Sequence, residues 1–173
     1  IDTLGKLYEY STRRFSGNRH SQIIETGKEY SYSDLKAQCD SLSKRLTQFG
    51  IGASDKVAIL SQNMPQWTMA FFATVPFGRI AIPILPESSE NEITNILNHS
   101  ESKVLFVSQK LLHNVSKECM DKLALVIDIE TFEEIKKDDS KFTCDGKVTM
   151  PMPDDIATII YTSGTTGNAK GVV

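Results

Sequence analysis

Lys56-Val57-Ala58-Ile59-Leu60, the run Pro65 to Phe77, and Ile80-Ala81-Ile82-Pro83 together decide the fold class of this chain. After Lys56 the first is a continuous apolar run with β-branched residues, the pattern of a strand covered on both faces. Pro65 suits the first turn of a helix, where its missing N–H costs nothing. A second short apolar run follows Gly78. Strand, helix and strand at this spacing make a βαβ unit, which requires a parallel sheet.

The alternation continues downstream. Ser89 to His99 reads as a helix, with Ser89 and Glu92 as a capping box and Ile93, Ile96 and Leu97 as its apolar stripe. Lys103 to Val107 predicts a strand, Gln109 to Cys119 a helix, Leu123 to Ile127 a strand and Thr131 to Lys136 a short helix. The strand repeat is about 20–25 residues, shorter than a full doubly wound unit, so the loops must be tight. Residues 136–153 break the pattern with the charge run Lys136-Lys137-Asp138-Asp139-Ser140-Lys141, then Asp145-Gly146, Pro151 and Pro153. They read as a solvated loop leading into the next strand.

Upstream, Leu35, Cys39, Leu42, Leu46 and Phe49 step by four, three, four and three, a helix starting at Ser33 and ended by Gly50 in the left-handed region. Gln22–Glu25 and Lys28–Ser31 flank Thr26-Gly27 and predict a hairpin. Leu4, Leu7, Tyr8 and Phe15 predict an opening helix capped by Thr3 or Asp2.

The chemistry concentrates at the other end. Ile156 to Ile160 reads as a buried strand that runs into Tyr161-Thr162-Ser163-Gly164-Thr165-Thr166-Gly167-Asn168-Ala169-Lys170-Gly171. Glycines let backbone N–H groups turn toward an anion, hydroxyls donate to phosphate oxygens, and a lysine adds a mobile charge. The Walker A pattern fails, because Ala169 stands where its second glycine belongs and Gly171 follows Lys170. The dinucleotide fingerprint fails for want of a G-x-G start. Gly171-Val172-Val173 continues as a strand, so this is a strand–loop–strand cradle. The bland alternative is a surface turn, which rarely gathers so many glycines and hydroxyls with a lysine.

Composition narrows the class. The chain has 173 residues, 40% of them hydrophobic, enough for one globular lobe. The net charge of −3 and pI of about 5.6 argue against nucleic acid and anionic lipid as partners. Cys39, Cys119 and Cys144 lack metal spacing and read as free thiols in a reducing compartment. With no signal peptide or transmembrane run, the expected location is cytoplasmic. The chain starts at Ile1 and stops inside an expected strand, as an excised piece of a longer protein would. His20, His99 and His113 have no partner at a telling spacing and read as structural or exposed. Trp67, Phe71 and Phe72 read as core.

The loop resembles the signature of the adenylate-forming, AMP-binding superfamily of acyl-CoA synthetases: Thr-Ser-Gly-Thr-Thr-Gly, any residue, a small residue or proline, Lys-Gly. Thr162 to Gly171 fill every position, with Ala169 where proline is usual. The likeness extends upstream in order. Tyr30-Ser31-Tyr32-Ser33-Asp34-Leu35 is similar to a "T-Y-x-E-L" helix entry. Gly50 to Trp67 is similar to "G-D-x-V-A-I…N…W", with Ser54-Asp55 for Gly-Asp. Phe77 to Pro83 is similar to "G-A-V-x-V-P", with Arg79 where a small residue is usual. Glu92 to Val107 also matches, and Asp154 to Tyr161 resembles the long-chain fatty acyl-CoA ligase branch.

The resemblance implies an α/β lobe: residues 1–173 would be a partial N-terminal adenylation domain built on a βαβ parallel sheet, with the C-terminal domain absent. It implies an ATP-dependent acid–thiol ligase that uses ATP, Mg2+ and CoA. A carboxylic acid, of fatty type, is activated as acyl-AMP and passed to CoA. Thr162, Ser163, Gly164, Thr165, Thr166, Gly167 and Lys170 would hold the ATP phosphates. No catalytic residue and no metal ligand is assigned within the chain. The family's adenine, magnesium and acyl contacts lie downstream of this loop, so the 173 residues alone are expected to be inactive. Two alternatives stay open: a non-catalytic nucleotide- or phosphate-binding α/β module, and an adenylation domain that passes an aryl or amino acid to a carrier-protein thiol.

Overall fold

The structure, a computed structural model, describes residues 1–142, 146–162 and 170–173. Its centre is a mixed five-stranded sheet. In chain order the strands are β3 (Lys56–Leu60), β4 (Ile80–Ile84), β5 (Val104–Val107), β6 (Leu125–Asp128) and β7 (Glu134–Lys137). Their spatial order is β4-β3-β5-β6-β7. The first four run parallel and β7 runs antiparallel at the edge.

Strand alternation divides the chain's apolar residues between two cores. Val57, Ile59, Val104, Phe106, Leu125 and Ile127 face one side, where α2 (Tyr32–Gln48) and α3 (Pro65–Thr74) cover them. Ala58, Leu60, Leu105, Val107 and Val126 face the other, under α4 (Glu90–Ser100) and α5 (Lys117–Lys122). Burying a side chain of this size contributes about 1.5–3 kcal/mol, which is why all-apolar strands sit between two helical layers. The opening helix α1 (Leu4–Arg14) is capped by Thr3 and buries Tyr8 against Phe72, ring centroids 5.7 Å apart. Leu7 and Phe15, expected on its inner face, are exposed, and Gly5, Tyr8 and Thr12 take that face instead.

Local signals hold with small shifts. The cap of α2 is Ser31 rather than Ser33, through a capping box with Asp34. Gly50 adopts φ +71° beyond its C-terminus. The early hairpin pairs β1 (Arg19–Gln22) with β2 (Glu29–Ser31), so Ile23 to Lys28 form its turn.

Three expectations are corrected. Thr131–Lys136 is not a helix. The Asp128 carboxylate accepts from the Glu130 N–H, Phe132 turns at φ +61°, and the chain returns as β7 along the open edge of β6. Gln109–Cys119 is not one helix either. A 3-10 segment, Gln109–Asn114, breaks at the extended Val115, and Ser116 caps α5 afresh. The strand expected at Ile156–Ile160 begins later, as β8 (Ile160–Thr162), with Ile156 and Ile160 exposed rather than buried. Among the described residues of this segment only Thr158 bridges to the β4 edge, at Ala81.

The segment 136–153 begins within β7 and then makes a 3-10 turn at Asp139–Lys141. Gly146 is buried, and the backbone beyond it lies against the lobe although the side chains of residues 147–149 are exposed. The carbonyl of Lys147 accepts from the Ala53 N–H at 2.8 Å, and a Cβ on Gly52 would come within 2.8 Å of that same oxygen. Gly78, at φ +78°, leaves the same kind of room for Thr149.

Candidate phosphate-binding site

The site is built on the β4 edge. The Ala81 N–H donates to the Ala157 carbonyl and the Ile159 N–H to the Ala81 carbonyl, both at 3.0 Å. Thr158 adds its hydroxyl to that same carbonyl at 2.9 Å. Because this bridge is parallel, the chain beyond it runs toward the carboxyl ends of the sheet strands. β8 then pairs antiparallel with β9 (Lys170–Val172), in the register Ile160↔Val172, Tyr161↔Gly171 and Thr162↔Lys170. The strand–loop–strand expectation therefore holds on both sides of the loop.

Thr162 and Lys170 form the last rung, so both ends of the segment 163–169 leave from one point at the carboxyl edge of the sheet. Both are exposed, and among the described residues Lys170 has no ion-pair partner. A solvated ammonium beside a hydroxyl can meet an anion without first breaking a protein contact. Ser163, Gly164, Thr165, Thr166 and Gly167, the other candidate phosphate ligands, lie outside the described residues.

The face opposite Thr162 and Lys170 carries contacts that the sequence did not reveal. The Tyr161 hydroxyl lies 2.8 Å from Nδ1 of His99, at the end of α4, and the two rings meet edge-on at 5.6 Å. Partial burial raises the Tyr161 phenol pKa, so the hydroxyl keeps its proton at neutral pH. His99 was read as partnerless because 62 residues separate the two in sequence.

The carboxyl edge also holds a polar row. Ser108 donates its hydroxyl to Gln62 Oε1 at 3.2 Å, and Gln109 Nε2 donates to Asp128 at 2.8 Å. The chain enters the sheet at β3 and lays β4 and β5 on either side of it, so the strand order reverses there. Open α/β sheets bind ligands outside the carboxyl ends at such a switch point. Among the described residues no group of three His, Cys, Asp or Glu side chains could hold a metal ion. Among them, too, no helix is long and apolar enough to cross a membrane. His20 packs edge-on against Tyr32, and burial lowers its pKa. Trp67 stacks on Phe71 at 5.4 Å beside the core, as expected of structural aromatics.

Comparison with known proteins agrees with this geometry. The family described as AMP-binding enzyme matches residues 10–173. Tyrocidine synthase 2 of Brevibacillus parabrevis is 28% identical over 171 residues, which is 99% of this chain and 4% of that protein. Fatty acyl-CoA synthetase A of Dictyostelium discoideum is 24% identical over 97% of this chain and 28% of its own length. Among solved structures, the N-terminal domain of FACL13 from Mycobacterium tuberculosis superposes with a TM-score of 0.81. That match covers all of this chain and 44% of that one at 23% identity, a likeness of fold. The chain thus spans less than a third of either curated relative.

Proposed function

Because this chain belongs to the AMP-binding enzyme family, we propose that it is the polyphosphate-gripping part of an ATP-dependent ligase that activates a carboxylic acid as acyl-AMP and passes it to CoA. The single observation that carries the reading is the Thr162–Lys170 rung. It sets a hydroxyl and an ammonium that has no ion-pair partner among the described residues side by side at the two ends of residues 163–169.

In the first step a carboxylate oxygen attacks the α-phosphorus and the α–β phosphoanhydride bond breaks, releasing pyrophosphate. No proton needs to move, so positioning and charge stabilisation dominate. Lys170 offsets charge building on the departing phosphates, and Thr162 donates to one of their oxygens. Ser163, Thr165 and Thr166 add hydroxyls, and Gly164 and Gly167 add accessible N–H groups. Magnesium in this reading arrives with ATP and neutralises its phosphates. In the second step a thiol attacks the acyl carbon and AMP leaves.

The proposed acid is a fatty acid, supported by the likeness to fatty acyl-CoA synthetase A and by the Asp154–Tyr161 segment. The match to tyrocidine synthase 2 favours a second reading, an amino acid passed to a carrier-protein thiol. ATP–pyrophosphate exchange by the full-length protein tests both, with fatty acids of graded length set against amino and aryl acids. Fatty-acid-dependent exchange supports the first reading and amino-acid-dependent exchange the second. Exchange with none of them removes the activity.

A further inference from the structure

We propose that His99, Tyr161 and Gly171 form a latch that positions the phosphate loop against the lobe, so that His99 is a positioning residue for the reaction. The inference rests on the adenylation reading above for its kinetic consequence, but not for its geometry.

The hairpin needs such a latch. Among the described residues β8 hydrogen-bonds as a strand only to β9, and the last backbone link to β4 is Ile159 on Ala81. Beyond that point side chains must hold the two strands in place. Successive side chains on a strand point to opposite faces, and cross-strand partners share a face. Tyr161 and Gly171 are partners on one face, while Thr162 and Lys170 are partners on the other. The anchoring face and the phosphate-facing side are therefore separated by a single residue step on each strand, and a shift of Tyr161 moves Thr162 and Lys170 with it.

Gly171 makes the latch possible. A Cβ there would come within 2.9 Å of Ile159 Cγ2 and 3.4 Å of Tyr161 Cζ. The missing side chain lets the Tyr161 ring lie across β9, a cross-strand aromatic–glycine pair. From that position the hydroxyl reaches His99 at 2.8 Å. His99 stands in the last turn of α4, a well-anchored helix: Ser89 and Glu92 cap its start, and Ile93, Ile96 and Leu97 are buried in the core. The bond survives in either charge state of the imidazole, because a phenol oxygen both donates and accepts. His99 itself is exposed, so replacing it leaves the core intact.

The test is a double-mutant cycle in the full-length protein with two independent readouts. In ATP–pyrophosphate exchange, His99→Ala and Tyr161→Phe are each expected to lower kcat about five- to tenfold, the weight of one hydrogen bond, with KM for the acid unchanged. The double variant should lose no more than either single one. His99→Asn, whose amide can replace Nδ1, should recover most of the rate. In amide hydrogen exchange, residues 160–162 and 170–172 should exchange faster in both single variants, while β3 and β5 keep their protection. Additive kinetic losses would overturn the latch, as would unchanged hairpin protection. Faster hairpin exchange with an unchanged kcat would overturn the positioning role. If the wild-type protein exchanges pyrophosphate with no acid, the activity reading falls, and hydrogen exchange still decides whether the latch exists.

Discussion

Thr162 and Lys170 face each other across the last rung of the β8–β9 hairpin, and both are exposed. In the proposed function the backbone register fixes where the Lys170 side chain starts before ATP arrives, while its flexible stem lets the ammonium follow the polyphosphate. Lys170→Ala is expected to lower ATP–pyrophosphate exchange by roughly 10²–10³-fold, the usual effect of removing one charge-stabilising donor. Lys170→Arg, which keeps the charge but not its shape, should fall between. Thr162→Val should cost about tenfold, one hydrogen bond to a charged group. Steady-state exchange kinetics on the full-length protein check all three, and unchanged rates would remove the rung from the chemistry.

Acid should weaken two helix starts in a predictable sense. The Asp34 carboxylate accepts from the Ser31 hydroxyl at 2.7 Å and its N–H at 2.8 Å, and Glu92 accepts from the Ser89 N–H and hydroxyl at 2.8 Å each. These bonds hold both acids below their ordinary pKa values. A depressed folded-state pKa means the contribution is complete above the unfolded value and is lost as pH falls through the folded one. The wild-type advantage over Glu92→Gln, read as a urea midpoint, should therefore shrink as pH drops from about 5 to about 3. A gap that stays constant over that range rejects the assignment.

Cys39 should be chemically silent in the native protein. Its thiol donates to the Met69 carbonyl at 3.3 Å in the α2–α3 seam, and burial pushes its pKa up to about 12. Thiolate is the reactive form, so labelling at pH 7 should run about a thousandfold slower than for a free cysteine. Cys119 is buried too, so the reagent should not reach it in the folded protein. Mass spectrometry after brief alkylation should find both unmodified in buffer and modified in denaturant. Prompt labelling of Cys39 in buffer would mean that α2 opens readily.

The elements that sequence revealed are those whose signal is local. β3, β5 and the capping box of α4 each announce themselves within a handful of residues, as an apolar run or a Ser/acid pair three apart, whereas the capping box of α2 starts at Ser31, two residues before the expected Ser33. β7 was hidden because Glu-Ile-Lys-Lys has the charged composition of a protected edge, and the Asp128 turn that aims it is a side-chain effect. In the site, the loop's composition was legible, but the His99–Tyr161 contact was not, since nothing near either residue marks the other as a partner. Arg79 shows the same limit: it read as a departure at a small-residue position, and only the fold gathers what surrounds it.

Arg79 is fully buried and, among the described residues, has no carboxylate on its guanidinium, yet all its donors are used. Nε donates to the Ile51 carbonyl at 3.0 Å. Nη1 reaches the Ser43 hydroxyl at 2.8 Å and the Ala73 carbonyl at 3.3 Å. Nη2 reaches the Ser43 carbonyl at 3.2 Å and the Thr47 hydroxyl at 2.7 Å. Five N–H groups thus meet five acceptors, the full capacity of the side chain. Most of these acceptors belong to the C-terminal turns of α2 and α3, whose dipoles favour a cation there. Burial lowers its pKa to about 10, which still leaves it charged at neutral pH. Arg79→Ala removes the charge but strands its acceptors beside a cavity, and should cost about 3–5 kcal/mol. Arg79→Lys keeps a charge with only three donors and should cost about 2 kcal/mol. Ser43→Ala deletes one charge-assisted bond and should cost about 1.5–3 kcal/mol. Urea unfolding of the three variants separates the contributions: a clamp that works as a unit makes the Ser43 loss vanish in an Arg79→Ala background, and full additivity would mean Arg79 only fills space.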